Sequence, residues 1–517
     1  MNRPHHADDG TYRNPVLHAD WSDPDAVRVG DDFYLVASSF HRVPGLPVLH
    51  SRNLVNWSII GHALPRLEPE DEFRTPQRGC GVWAPAVRHH AGRFRIFYPD
   101  PDRGLFVVTA EDPAGPWSRP QLLKAGRGLI DPCPLWDDDG TAYLVHAWAK
   151  SRAGFNNKLT VHRMSPDASA LLDEGRHAVD GDALPGYRTL EGPKFYRRGG
   201  WYWIFAPAGG VSDGWQSAFR SRHPFGPYEG RIVLEQGDTD VNGPHQGAWV
   251  ATSDGEDWFL HFQDKGPFGR VVHLQHMRWN ADDWPEIGAP AGRPVASHPK
   301  PGIATSEKPA APAVSDDFTG PDLGPQWTWQ ANPNPDWHEL DPERGLRLRC
   351  TPTASGDLRQ IPNLLGQRLP SDRFRAVTTV RLIGAEARAR AGLAVVGDSY
   401  AWIGLENLAD GAVLVCRTAE VDEPERDTAP TTWVPLRANG TTMPVTIGVD
   451  VDPSGRCRFL AALAGEELRP VGKPFGATAG RWVGATLGLF AAIAAPGSGT
   501  AEFDSMRVTD GRESDHR

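Results

Sequence analysis

A glycine-containing turn followed by an aromatic and aliphatic run recurs five times in the first 290 residues. The copies begin Gly30-Asp31-Asp32-Phe33-Tyr34, Gly92-Arg93-Phe94-Arg95-Ile96, Gly140-Thr141-Ala142-Tyr143-Leu144, Gly200-Trp201-Tyr202-Trp203-Ile204 and Gly255-Glu256-Asp257-Trp258-Phe259. Their glycines stand 62, 48, 60 and 55 residues apart. Each copy reads as a hairpin turn feeding a strand whose wide side chains suit a pleated, packed surface. Such a period is too long for a helical repeat and fits a blade of four short strands. Five copies predict an all-β, five-bladed β-propeller over residues 1–295.

From about residue 296 the texture changes. His298-Pro299-Lys300-Pro301 through Glu307-Lys308-Pro309-Ala310-Ala311-Pro312 has no hydrophobic period, so residues 296–315 read as a stiff linker. Alternation returns beyond it, as in Phe374-Arg375-Ala376-Val377-Thr378-Thr379-Val380 and Val445-Thr446-Ile447-Gly448-Val449. Period two with one face apolar, and no long amphipathic helix, predicts a β-sandwich over residues 316–517.

The net charge of −11 argues against nucleic acid or an anionic membrane surface as the partner. No apolar run is long enough for a membrane span, and Met1-Asn2-Arg3-Pro4-His5-His6 lacks the apolar core of a signal peptide, so a cytoplasmic address is the expectation. The five cysteines are odd in number and none are in CxxC spacing, which points to buried thiols rather than disulfides or a zinc site.

The repeat also locates a site. Seven to ten residues before each turn glycine, where an innermost strand would begin, stand Asp23, Trp83, Asp131, Glu191 and His245. Equivalent positions in a closed ring of blades converge on the axis, so three carboxylates, a tryptophan and a histidine share one pocket. Asp23 and Asp131 each precede a proline, which biases the backbone toward extended conformations. Like charges in one low-dielectric pocket raise one another's pKa, and proton transfer is the use that offsets this cost. Glycosidic hydrolysis needs one carboxylic acid to protonate the leaving oxygen and one carboxylate to activate water or attack directly. Trp83, in register with the acids, is read as a stacking wall for a sugar.

The stretches Tyr12-Arg13-Asn14-Pro15-Val16, Trp21-Ser22-Asp23-Pro24-Asp25, Gly81-Val82-Trp83-Ala84-Pro85, Ile130-Asp131-Pro132, Leu190-Glu191-Gly192-Pro193 and Gly243-Pro244-His245-Gln246-Gly247 together resemble glycoside hydrolase family 43. Trp327-Thr328-Trp329-Gln330 and Arg390-Ala391-Gly392-Leu393 resemble the concanavalin-like, jelly-roll sandwich of its β-xylosidase-type members. The resemblance implies inverting, exo-acting release of a terminal pentose, β-D-xylose or α-L-arabinofuranose, from plant-polysaccharide-derived oligosaccharides. Asp23 would be the general base, Asp131 the group that tunes and orients, and Glu191 the general acid. For inversion, base and acid should stand roughly 6.5–9.5 Å apart. Phe40 resembles a wall of the sugar pocket and Arg270 an arginine that contacts the sugar, while Trp148 and Trp215 are candidates for the rim. His245 resembles an axial histidine that often faces calcium or its waters. No cofactor is required on this reading, and a structural calcium near His245 is the one metal it allows. Asp137-Asp138-Asp139-Gly140 reads as a solvated hairpin tip rather than a calcium loop. Where relatives carry an aromatic pair before Pro-Gly, this chain has Phe40-His41-Arg42-Val43-Pro44-Gly45, so the rim is expected to differ. An oligosaccharide is the expected partner, with self-association left open. A retaining fructosidase-like propeller and a non-catalytic carbohydrate-binding protein are the alternatives. The first lacks its usual Asn-Asp-Pro-Asn-Gly signature here, and the second has no need of three acids in register.

Overall fold

The computed structural model describes residues 10–303, 310–353, 356–436, 441–494 and 497–511; the first nine residues and 304–309 of the linker lie outside the described set. Five four-stranded antiparallel sheets follow one another in chain order. Their first strands are Asp25–Val29, Ala86–His90, Leu129–Trp136, Lys194–Arg198 and His245–Ala251. The repeat glycine forms the turn from first to second strand in every blade, with φ of 63° at Gly30, 73° at Gly92, 83° at Gly140, 74° at Gly200 and 85° at Gly255. At Gly30, Gly92, Gly140 and Gly255 nothing stands within 4 Å of where a Cβ would sit, so backbone conformation and not space selects glycine there. Second strands such as Trp201–Ala208 are buried almost throughout, because each sheet packs between two neighbouring blades.

Every blade is contiguous in sequence, so the ring closes through the N-terminal segment. Thr11–Arg13 pairs with Ser297–Pro299, Tyr12 Oη donates to Leu274 O at 2.7 Å, and Asn14 Nδ2 donates to Leu274 O and Val295 O, both at 2.8 Å. The first part of the proline-rich stretch is therefore a closing strand of the propeller rather than spacer. Proline is tolerated there because a two-stranded ribbon leaves its missing N–H on an edge.

The C-terminal half is a sandwich of two nine-stranded sheets. The strand Phe374–Ile383 alternates buried and half-buried along its length, as its sequence predicts. The two domains are stitched rather than tethered. Val43 and Trp329 exchange backbone hydrogen bonds of 3.0 and 2.6 Å across the boundary. Asn332 Oδ1 accepts from Leu67 N and its Nδ2 donates to Leu67 O, both at 2.8 Å. All five cysteines are free, and four are buried. Among the described residues no helix is long and apolar enough to cross a membrane.

Candidate active site

Asp23, Trp83 and Glu191 stand two or three residues before an innermost strand, His245 is the first residue of one and Asp131 the third. The two pre-proline acids depart from expectation in one respect. Asp23 and Asp131 have φ of 56° and 58°, left-handed rather than extended. Such a backbone costs about 1–2 kcal/mol per non-glycine residue, and surrounding bonds hold it. Asp23 Oδ2 accepts from Ser38 Oγ at 2.6 Å and its Oδ1 accepts from Arg270 Nη1 at 2.6 Å. Asp131 Oδ2 accepts from Gly192 N at 2.7 Å, the amide directly after Glu191.

Glu191 Oε1 hydrogen-bonds His245 Nε2 at 3.1 Å; the Glu191 side chain is 26% exposed whereas that of His245 is 1% exposed. Burial first, and the negative charge of Glu191 second, hold the Asp131 carboxyl well above the usual carboxylate range. Asp131 thus keeps its proton into a range where a free carboxyl has lost it. Glu191, with its side chain 26% exposed, is the carboxyl of the two that a leaving oxygen can reach.

The walls come from the loop joining the second and third strands of the first blade and from the connection that leads into the second blade. Phe40, buried and at φ 52°, bridges to Val82, and its ring centroid lies 6.1 Å from that of Trp83. Trp83 Nε1 donates to Gly79 O at 3.1 Å, and the Arg152 guanidinium sits 5.3 Å from the Trp83 ring centroid. Gly81 (φ 87°) lies where a Cβ would be 2.4 Å from Phe40 O. Gly81→Ala is therefore expected to destabilise by about 1–3 kcal/mol and to weaken glycoside turnover, measured by thermal melting and kcat/KM.

One wall residue lies outside the repeat entirely. Trp482, at φ 65° in a loop of the sandwich and 40% exposed, places its ring centroid 6.1 Å from that of Trp83. Trp329 bridges the domains through its backbone, but Trp482 is the sandwich tryptophan whose ring stands beside Trp83. No register rule reaches it, because the sandwich has no repeat. Ser38 was missed for a similar reason: its loop carries no signal apart from its position one strand downstream of Asp23.

The remaining candidates divide. Arg270 joins the site through Asp23. Trp148 is tied into its own blade and Trp215 to the connection that precedes its blade. Trp148 Nε1 donates to Thr160 Oγ1 at 2.8 Å with its ring 4.8 Å from Phe155, and Trp215 stands edge-on to Tyr187 at 5.6 Å. The Asp137 run is a hairpin tip, its carboxylate taken up by Asp138 N, Arg197 and Tyr202. The departing residues His41 and Arg42 are buried and point into the domain boundary, where Arg42 Nη2 donates to Gly484 O at 3.0 Å and Thr486 Oγ1 at 2.8 Å. They dock the sandwich rather than reshape the rim directly. A calcium ion needs six to eight oxygens at about 2.3–2.6 Å. His245 gives Nε2 to Glu191, its buried Nδ1 has no hydrogen-bond partner, and no set of three metal-ligating side chains gathers among the described residues. The donor set does not fit a directly ligated calcium there.

Comparison with known proteins agrees with this geometry. The model for glycosyl hydrolases family 43 matches residues 12–285, and that for the β-xylosidase C-terminal concanavalin A-like domain matches residues 315–509. The chain belongs to glycosyl hydrolase family 43. It is 38% identical over 488 residues to a putative β-xylosidase of Xylanibacter ruminicola, covering 93% of this chain and 86% of that one. It is 32% identical to a non-reducing end α-L-arabinofuranosidase of Bacteroides ovatus, over 75% and 74% of the two chains. The solved Bacteroides ovatus protein named Xyloglucan PUL GH43B superposes with a TM-score of 0.83 at 28% identity, over 97% of this chain and 100% of its own. The matched family-43 region contains all three acids, and the sandwich that supplies Trp482 is the separately matched C-terminal domain.

The raised Asp131 pKa has a stability consequence. Between the unfolded and folded pKa values the unfolded chain releases a proton that the folded chain keeps, so stability falls as pH rises through that window. Asp131→Asn removes this loss while its amide oxygen still accepts from Gly192 N. The variant should melt higher than the parent at pH 7, with the gap closing toward pH 4, and lose at least tenfold in kcat. A lower melting temperature at every pH would contradict the assignment.

Proposed function

We propose that this family-43 chain is an exo-acting, inverting pentosidase that releases terminal β-D-xylose or α-L-arabinofuranose from oligosaccharides. The observation that carries it is the separation of roles among the acids. Asp23 is held between Ser38 and Arg270, while Glu191 is set against Asp131 and His245. In the reaction, the Asp23 carboxylate takes a proton from water as the water attacks the anomeric carbon. Glu191 delivers its proton to the departing glycosidic oxygen, and the Arg270 guanidinium offers its remaining N–H groups to the sugar. Asp131 stands against Glu191, and through Gly192 N it fixes the turn that carries the donor.

The exo mode follows from Trp482. A sandwich loop stands beside Trp83 at the rim, which suits a pocket that accepts a chain end rather than a cleft that a polymer crosses. Both pentose names occur among the relatives, and the two sugars present overlapping hydroxyl patterns to a site of this kind. Release of 4-nitrophenol from the β-D-xylopyranoside and the α-L-arabinofuranoside, measured side by side, tests the reading. Turnover of either supports it and their ratio ranks the sugars; turnover of neither rejects the pentosidase assignment.

A further inference from the structure

Directly beneath the three acids lies a second ring of polar groups that the reaction described above does not use. Two residues along from Asp23 is Asp25, two along from Trp83 is Pro85, two along from Asp131 is Cys133, and three along from Glu191 is Lys194. These groups meet. The Lys194 ammonium, wholly buried, donates to Pro85 O at 2.8 Å and stands 3.9 Å from Asp25 Oδ1. Asp25, equally buried, accepts on Oδ2 from Val87 N and from Arg88 Nη1, both at 2.7 Å. Arg88 Nη2 reaches Cys133 Sγ at 2.9 Å, and Phe195 N donates to the same sulfur at 3.2 Å. One carboxylate and two cations thus tie the first four blades together one strand step below the chemistry.

A lysine with no exposed surface is expensive, because removing an ammonium from water costs several kcal/mol unless its surroundings compensate. Asp25 compensates in part, but its Oδ2 is taken by Arg88 and Val87, and its Oδ1 makes no hydrogen bond. The ring therefore carries an excess positive charge under a ring of three acids. We propose that Lys194 is a positioning residue: its buried ammonium, braced by Asp25 and Arg88, fixes the strand entries that aim Asp23, Asp131 and Glu191 and supplies from within the chain the cation that offsets their shared negative charge. The groups that feel it are Asp25, Cys133 and Asp131; Arg88 and Tyr196 act in turn on Asp25 and Cys133, and Glu191 on Asp131. The field of Lys194 at Asp131 opposes the upward push of burial and of Glu191.

The activity readout rests on the pentosidase reading; a second readout does not. Lys194→Met keeps the length of the side chain and removes its charge. The bell of kcat/KM against pH should move upward by about half a unit or more on both limbs, with kcat lower by about tenfold and KM little changed. Asp25→Asn removes a negative charge from the same ring and should move the bell downward. Thermal melting between pH 5 and 8 needs no substrate: the decline of melting temperature with pH should be steeper in Lys194→Met than in the parent, and shallower in Asp25→Asn. Opposite shifts in the two variants establish the electrostatic role, and if Lys194→Met does not fold, the Asp25→Asn shift decides. Variants that melt lower by the same amount at every pH, with unmoved bells, would show a merely structural lysine and overturn the proposal. An inactive parent whose variants still differ in the pH dependence of melting would sink the pentosidase reading and leave this one standing.

Discussion

Glu191→Ala should lose about a thousandfold or more in kcat/KM on oligosaccharides, whose leaving alkoxide must be protonated, while retaining much of its activity on activated aryl glycosides. Asp23→Ala should lose both to a similar degree, because every substrate needs the attacking water deprotonated. The contrast follows from where the two carboxyls sit. Glu191 is part-exposed beside His245 and set against Asp131, which suits the donor role proposed for it. Asp23 is gripped instead by Ser38 and Arg270. Steady-state kinetics of both variants on an oligosaccharide and on a nitrophenyl glycoside check this, and equal losses on every substrate would dissolve the separate acid and base roles.

Asp20→Ala should destabilise the whole molecule by about 3–5 kcal/mol and lower kcat/KM by at least tenfold, although Asp20 is not among the three acids. Its Oδ1 accepts from Ser22 Oγ at 2.8 Å and from Arg270 N at 3.1 Å, and its Oδ2 accepts from Gly484 N at 2.9 Å. The Arg42 guanidinium lies 3.6 Å from that carboxylate, and Arg368 Nε donates to Asp20 O at 2.6 Å. One buried carboxylate thus joins the strand entry of Asp23, the arginine that holds Asp23, and the sandwich loop that carries Trp482. Removing it leaves Arg42 buried without its counter-charge and unseats the loop. Thermal melting together with kcat/KM checks both halves, and a stable variant with unchanged kinetics would show that the sandwich is not coupled to the chemistry. Removal of residues 316–517 should be harsher still, since Arg42, Val43, Leu67 and Arg78 would each lose partners across the boundary.

The propeller and its acids were legible because a ring of blades converts a linear repeat into a radial one. A fixed offset from the turn glycine picks the same point on each innermost strand, and those points must meet at the axis. The offset says nothing of backbone sign, so Asp23 and Asp131 read as extended before their prolines and are left-handed instead. Nor does it reach groups set by tertiary contact. Trp482 is close to Trp83 only because Arg42 and Asp20 dock the loop that carries it, and that docking is invisible along the chain. The same docking explains His41 and Arg42, which read from sequence as an altered pocket rim and are buried in the domain boundary. Trp148 and Trp215 each have a neighbour the sequence did not name, Thr160 on the next strand of the same blade and Tyr187 in the connection between the third and fourth blades.

Proton NMR of the first sugar released tests the central assignment most directly. From a β-D-xyloside, a base at Asp23 that activates water and an acid at Glu191 that protonates the leaving oxygen must give α-D-xylose first, followed by mutarotation; from an α-L-arabinofuranoside they must give the β-anomer. Release of the sugar with its original anomeric configuration would contradict the account, because Asp23 would then be a nucleophile rather than a base.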